Sequence, residues 1–295
     1  MVESFDLICF SESKIDDTDV ISFPGYCNIA QPRKQKFLRK SGGISVYFKN
    51  KWENYIRQID TESDYVLWLE IDKSLFRTDE NLIFGAIYVP PESSKFFSED
   101  EFMILETEIT SFCSNHKHIF LTGDFNGRTS VLRDYTERDD FLIDMYDFDD
   151  ETSEFFYTAG KLELYDIPLT RKSLDKNTNN NGYKMIEICK NNNLFILNGR
   201  LDKDRNIGAF TFRHQSVIDY MLSSVDSLQF LEGFEILETD PLFSDGHCIL
   251  TCIFTCPEPR LKQQTFRNNT RKPLWNEKFA HNFCGNIDLT KVNIT

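Results

Sequence analysis

The chain has 295 residues, 40% of them hydrophobic and 14% aromatic, enough for one large folded domain with appendages and too apolar for a disordered chain. Its formal net charge of -14 excludes a general nucleic-acid binder working by overall positive charge, because neutralising phosphates takes surface Lys and Arg. A hydrolase that gathers carboxylates around a cation, with local basic segments beside it, stays compatible with that balance.

The opening MVESFDLICF lacks the charged and apolar regions of a signal peptide, and no apolar run reaches the length of a membrane span. The expected setting is soluble and intracellular, without a membrane partner. Short apolar runs bounded by turn residues then predict buried strands at Leu7 to Phe10, Ile44 to Phe48, Val66 to Ile71, Leu82 to Val89 and Ile119 to Thr122. Ser98 stands three residues before Glu101, a capping-box spacing, and Phe102, Leu105, Ile109 and Phe112 follow at helical intervals. From Asp134 to Asp166 the chain is dense in acid, which reads as a solvated insertion at about 134–180, and NTNNNG at 177–182 reads as a loop. A second helix is expected to carry Tyr183, Ile186 and Cys189 inward. Further strands are expected at Leu194 to Leu197, Phe210 to Phe212, Val217 to Leu222 and Ile249 to Phe254.

The eight cysteines are scattered without CxxC pairs and read as reduced core residues. Cys248, Cys252 and Cys256 would share one face of a helix, but their β-branched surroundings read as strand and disfavour zinc. Strands apolar throughout need cover on both faces, so the expected fold is α/β, a layered sandwich of packed sheets flanked by helices. One domain should span 1–257. The basic stretch 258–295 reads as a connector that could touch backbone phosphate.

Three segments carry candidate chemistry. In HIFLTGDFNGRTS a buried strand ends in Gly123, Asp124, Phe125 and Asn126, where alternation sends Asp124 and Asn126 to one side. A Gly-Asp turn after a strand is by itself more often structural. GAFTFRHQSVIDYMLSS reads as a hairpin whose second strand buries Asp219, a carboxylate that needs a cationic or imidazole partner there, or else a backbone hydrogen bond. In PLFSDGHCILTCIF, Asp245 and His247 stand at a strand entrance, and a histidine held by a carboxylate is the usual general base for water. Glu12, just past LICF, suits a hard cation at a cleft edge, and Tyr88 can donate to a phosphate oxygen; singly, each would pass as a surface residue.

In their order, ICFSESK, IYVPP, LTGDFNGR, SVIDYML and SDGH resemble the motifs of the endonuclease/exonuclease/phosphatase (DNase I-like) superfamily. KSGGISVYFKN, GDFNGRTS, GAFTF before SVIDYML and the RKPLWNEKF tail are most similar to the endonuclease domain of non-LTR retrotransposons, over roughly residues 4 to 255. The resemblance implies a four-layer α/β sandwich of two mixed sheets between helices, and hydrolysis of DNA phosphodiesters without a covalent intermediate. It places Mg2+ or Mn2+ at Glu12 with Asp245 nearby, Asp219 behind His247, Tyr88 at the scissile phosphate, and Asp124 with Asn126 at the attacking water or leaving oxygen. The proton roles of Asp124 and His247 stay open. Ser216 and Arg128, in the same motifs, are the substrate-binding candidates. The partners implied are DNA and a reverse transcriptase beyond the connector, with the nucleus as the place of action. Two departures stand out: the family's first strand, with its asparagine, would precede Met1, and Gly246 separates Asp245 from His247, so that a bulge is expected there. Two other readings share these residues: a phosphodiesterase or phosphatase for a smaller substrate, and a non-catalytic remnant serving as an interaction module.

Overall fold

The computed structural model describes residues 2–255 apart from 17–18, 20, 34–40, 140–142, 144, 147–156 and 243. The chain divides into compact units after Pro259, and the connector expected at 258–295 lies outside the described residues.

A six-stranded sheet forms the centre. It contains β4 (Ile56–Ile59), β5 (Val66–Ile71), β6 (Leu82–Tyr88), β7 (Ile119–Asp124), β8 (Leu194–Ile196) and β9 (Asp219–Ser224), in the order β4-β5-β6-β7-β9-β8. Only β6 and β7 run parallel, because α1 (Glu99–Asn115) carries the chain back between them. Ser98 caps that helix as its spacing predicts, its side chain accepting from the Glu101 N–H. The second helix, α2 (Asn180–Asn192), packs against α1.

These strands are apolar throughout because both faces are covered. From β5 and β6, Leu67, Leu69, Phe84 and Ala86 enter one core cluster, and Val66, Trp68, Ile83 and Ile87 enter the other. The second cluster lies under α1 and α2, which contribute Phe102, Leu105, Ile109, Met185, Ile186 and Cys189. The first is covered by smaller sheets. Strands β1 (Leu7–Ser11), β2 (Tyr26–Gln31) and β3 (Ile44–Lys49) form one, in the order β1-β3-β2. Strands β10 (Leu231–Leu237) and β11 (Ile249–Phe254) form the other. β1 lies over β6 and β7, and β11 lies over β9. This is the expected α/β sandwich of stacked sheets and helices.

Several elements differ from expectation for local reasons. β2 is half polar, β4 has two apolar residues in IRQI, and β10 is interrupted by Glu232 and Gly233 with a register shift between Leu231 and Gly233, so none announces itself. Phe210 to Phe212 forms no strand; Phe212 makes only isolated bridges to Ser216 and His247. The NTNNNG loop is half helix, because Asn179 is the N-cap of α2 and accepts from Gly182 N–H. Gly182 allows that helix to approach the turn after β7, since a Cβ there would lie 2.0 Å from the Arg128 carbonyl oxygen. Tyr183, expected inward, is 51% exposed, and its hydroxyl meets Thr178 at 3.1 Å while Met185 and Ile188 join Ile186 and Cys189 inside. Of the three cysteines Cys248, Cys252 and Cys256, Cys252 lies in β11, Cys248 stands just before that strand, and Cys256 lies outside the described residues.

The acidic insertion is not uniformly solvated. Asp134 is 1% exposed and receives both arms of the equally buried Arg200 guanidinium, with Ile196 N–H donating to the same carboxylate at 2.8 Å. Removing one partner of such a pair leaves a buried charge unpaired. Asp134→Ala is therefore expected to lower the unfolding free energy by about 3–5 kcal/mol, read by urea denaturation; a loss under about 1 kcal/mol would match only an exposed pair.

Candidate active site

Register brings three sequence-predicted residues into one row. Tyr88 is the partner of Asp124 across β6 and β7, and Asp124 is the partner of Asp219 across β7 and β9. Gly123 makes the close pairing possible, because with φ of 141° a Cβ there would meet the Ile87 carbonyl oxygen at 2.0 Å. Asp124 and Asp219 are both buried.

His247 reaches this row from the loop before β11. Its Nδ1 lies 3.0 Å and 3.1 Å from the two carboxylate oxygens of Asp219, and its ring packs on Phe212 with centroids 4.6 Å apart. Ser244 Oγ accepts from the N–H groups of His247 (2.7 Å) and Gly246 (3.2 Å), so the inserted glycine is absorbed in a turn with φ of 153° at Gly246. One ligand atom each from Asp124, Asp219 and His247 lies within 4.8 Å of the others, the group that could hold a metal ion among the described residues. Two carboxylates and an imidazole suit a hard or borderline divalent cation.

The other candidates stand around this centre. Asn126 has φ of 46°, which turns its side chain back onto Asp124: Nδ2 donates to the Asp124 carboxylate (2.8 Å) and to the Val89 carbonyl (2.9 Å), while the Asn126 N–H donates to the other Asp124 oxygen (2.8 Å). Glu12 lies outside the three-residue group, left-handed and exposed, with Lys14 at 3.9 Å; its charge nevertheless acts on Tyr88 and Asp124. Asp245 is also outside that group and exposed, and its carbonyl accepts from Arg213 at 3.5 Å. Arg128 is forked onto Asp175 at 2.8 and 2.6 Å, which makes it an anchor of the loop in this structure. Ser216 is buried in the tight turn that Phe212 closes, where its carbonyl accepts from Thr211 and Phe212.

Positioning residues not singled out from sequence hold this frame. Thr211 Oγ1 accepts from the N–H groups of Ile218 and Asp219, and Asn198 bridges the Asp219 carbonyl and the Met221 N–H. Asp175 accepts from Val217 N–H and Asn177 N–H besides Arg128. Asn179 ties the turn after β7 to α2, accepting from Arg128 N–H and donating to the Asn126 carbonyl. Only Thr211 lay inside a motif, GAFTF; Asn198 directly follows the apolar run Leu194 to Leu197, a strand-end position like that of Asp124, while Asp175 and Asn179 lie in polar stretches where nothing distinguishes a clamp from a surface residue.

The electrostatics follow from burial. Desolvation, then the Asp219 charge, push the Asp124 carboxyl well above the ordinary carboxylate range, with His247 opposing. For His247 burial alone would lower the pKa, but the Asp219 hydrogen bond and charge, aided by Asp124 and Asp245, outweigh it and hold it at about 9. Burial, then Glu12 and Asp124, raise the Tyr88 phenol, which stays a donor.

A folded-state value above the free-histidine 6.5 means that the pair's contribution to stability is fully present below pH 6.5 and is lost as pH rises through about 9. NMR titration should find His247 near that value, and Asp219→Asn should drop it to the ordinary histidine range or below. An unchanged titration in the variant would contradict the pairing.

No family model matches the chain, and no curated protein matches it. Among solved structures it is similar to the endonuclease domain of TRAS1, a telomere-specific non-LTR retrotransposon, at TM-score 0.51 and 11% identity over 87% of this chain and 89% of that one. It is also similar to the AP endonuclease LMAP from Leishmania major (TM-score 0.52, 14% identity, 87% of this chain, 80% of that one). A 3'-5' exonuclease, NExo, from Neisseria meningitidis gives TM-score 0.50 and 13% identity over 84% of this chain and 89% of that one. The fold is the one that the motif order led us to expect.

Proposed function

We propose that the chain is a divalent-cation-dependent phosphodiester hydrolase that nicks DNA, of the kind found in non-LTR retrotransposons. The observation that carries this reading is the register-locked pair of buried carboxylates, Asp124 and Asp219, with His247 held on one of them. Two acids forced together below water carry a cost that a cation would relieve. The fold shared with an endonuclease, an AP endonuclease and an exonuclease supports the reaction class, and the motifs GDFNGRTS and SVIDYML support the retrotransposon relation.

The chain's own groups supply the following. Asp219 occupies Nδ1 of His247, so Nε2 is the ring nitrogen that can exchange a proton with water or substrate. Asn126 fixes the Asp124 carboxylate by two hydrogen bonds, which removes its freedom to turn away from a reacting atom. Tyr88 keeps its proton and can donate to a phosphoryl oxygen. A bound Mg2+ or Mn2+, with Asp124 and Asp219 as its carboxylate donors, would supply the positive charge that phosphate hydrolysis needs.

The net charge of -14 favours a second reading, hydrolysis of a smaller phosphorylated substrate, because long DNA meets general repulsion. The test is nicking of supercoiled plasmid by the whole chain in Mg2+ and in Mn2+. Nicking should stop with EDTA and return with added metal, and His247→Ala and Asp124→Ala should each lose roughly 10²–10⁴-fold with circular dichroism unchanged. Cleavage that ignores EDTA, or persists in both variants, would sink the proposal. Turnover of a small phosphodiester without plasmid nicking would select the second reading.

A further inference from the structure

Behind the turn that follows β7, a cleft of about 300 Å3 opens among Leu132, Arg133, Tyr135, Arg171, Lys172 and Arg200. Two of its cations are unusually deep. Arg171 is 5% exposed and Arg200 1% exposed, and the Nε of each is buried with no hydrogen-bond partner among the described residues.

Both Nη nitrogens of Arg200 and the Nη2 of Arg171 are committed. Arg200 holds Asp134 and the carbonyls of Ile196 (2.9 Å) and Leu169 (2.6 Å). Arg171 Nη2 donates to Thr129 Oγ1 (2.8 Å) and to the Leu132 carbonyl (3.0 Å), and has no carboxylate on it among the described residues. Two buried guanidiniums that line the cleft therefore have one direct carboxylate between them among the described residues, Asp134 on Arg200. A charge placed so costs several kcal/mol unless something answers it. Lys172 is exposed at the same cleft, and Arg133 stands there with Glu137 on it.

We propose that this cleft is an oxyanion site, separate from the Asp124–Asp219–His247 group, that takes a phosphoryl group on Arg171 and Lys172, with Arg200 behind them as a fixed positive charge. Arginine forks match phosphate oxygens, and the cleft's volume is at the lower end of small-ligand pockets. The site also touches the catalytic strands. Thr129 Oγ1, which accepts from Arg171, lies 3.1 Å from the Tyr220 hydroxyl, and Tyr220 follows Asp219 in β9. Occupancy of the cleft would thus bear on the frame that holds Asp219.

The test is inorganic phosphate binding to the whole chain in EDTA at fixed ionic strength, by calorimetry and phosphorus NMR line broadening. One site is expected, weakened roughly tenfold or more in Arg171→Gln, as for a lost charged hydrogen bond, weakened less in Lys172→Ala, and unchanged in His247→Ala. Lys172 is exposed, so its variant serves if Arg171→Gln does not fold. A short oligonucleotide without terminal phosphates forms a second arm: competition with inorganic phosphate would name the nucleic-acid backbone as the source, and its absence a free phosphate compound. Binding equal in wild type and both cleft variants, or lost only in His247→Ala, would overturn the proposal.

Discussion

The pairing of β7 with β9 is the constraint on which the site depends. It sets Asp124 opposite Asp219 at the end of a sheet covered on both faces, so neither carboxylate can withdraw into water without breaking the ladder. Like charges so placed must be answered by a proton or a cation. His247 answers part of that demand, sitting on Asp219 and drawing its own raised pKa from the same two acids. The pair thus governs protonation and the orientation of the histidine together.

Much of the surrounding structure keeps that pairing in register. Gly123 lets β7 approach β6, Thr211 and Asn198 hold the backbone on either side of Asp219, and Asn179 with Gly182 docks α2 on the turn that carries Asn126. Arg128, Asp175 and the Asp134–Arg200 pair extend the same polar scaffold outward. Buried polar groups of this sort contribute little net stability when satisfied, yet fix one arrangement when the alternative is an unpaired charge.

The fold was legible where burial was two-sided. Uninterrupted apolar runs gave β5, β6 and β7, and a capping spacing gave α1, because those signals act locally. The strands that escaped, β2, β4 and β10, are half exposed or bulged, and their pairing is settled by neighbours distant in sequence. For the site, Asp124 and His247 could be singled out as polar residues at strand ends and Asp219 as a carboxylate inside an apolar run, and the structure brings them together. Alternation alone aimed Asn126 at a substrate; its left-handed backbone aims it at Asp124 instead, which no residue pattern specifies. Asp175 and Asn179 act through contacts with residues distant in sequence and left no trace in it.

The central claim is that the Asp124–Asp219 pair is a cation site, and Mn2+ binding followed by electron paramagnetic resonance tests it most directly. The chain should hold one Mn2+ more tightly than its scattered surface acids do, and Asp124→Asn and Asp219→Asn should each weaken that site by roughly tenfold or more, the loss of one charged donor. Equal binding in wild type and both variants would contradict the account, because the acids that the register forces together would then have no cation to share.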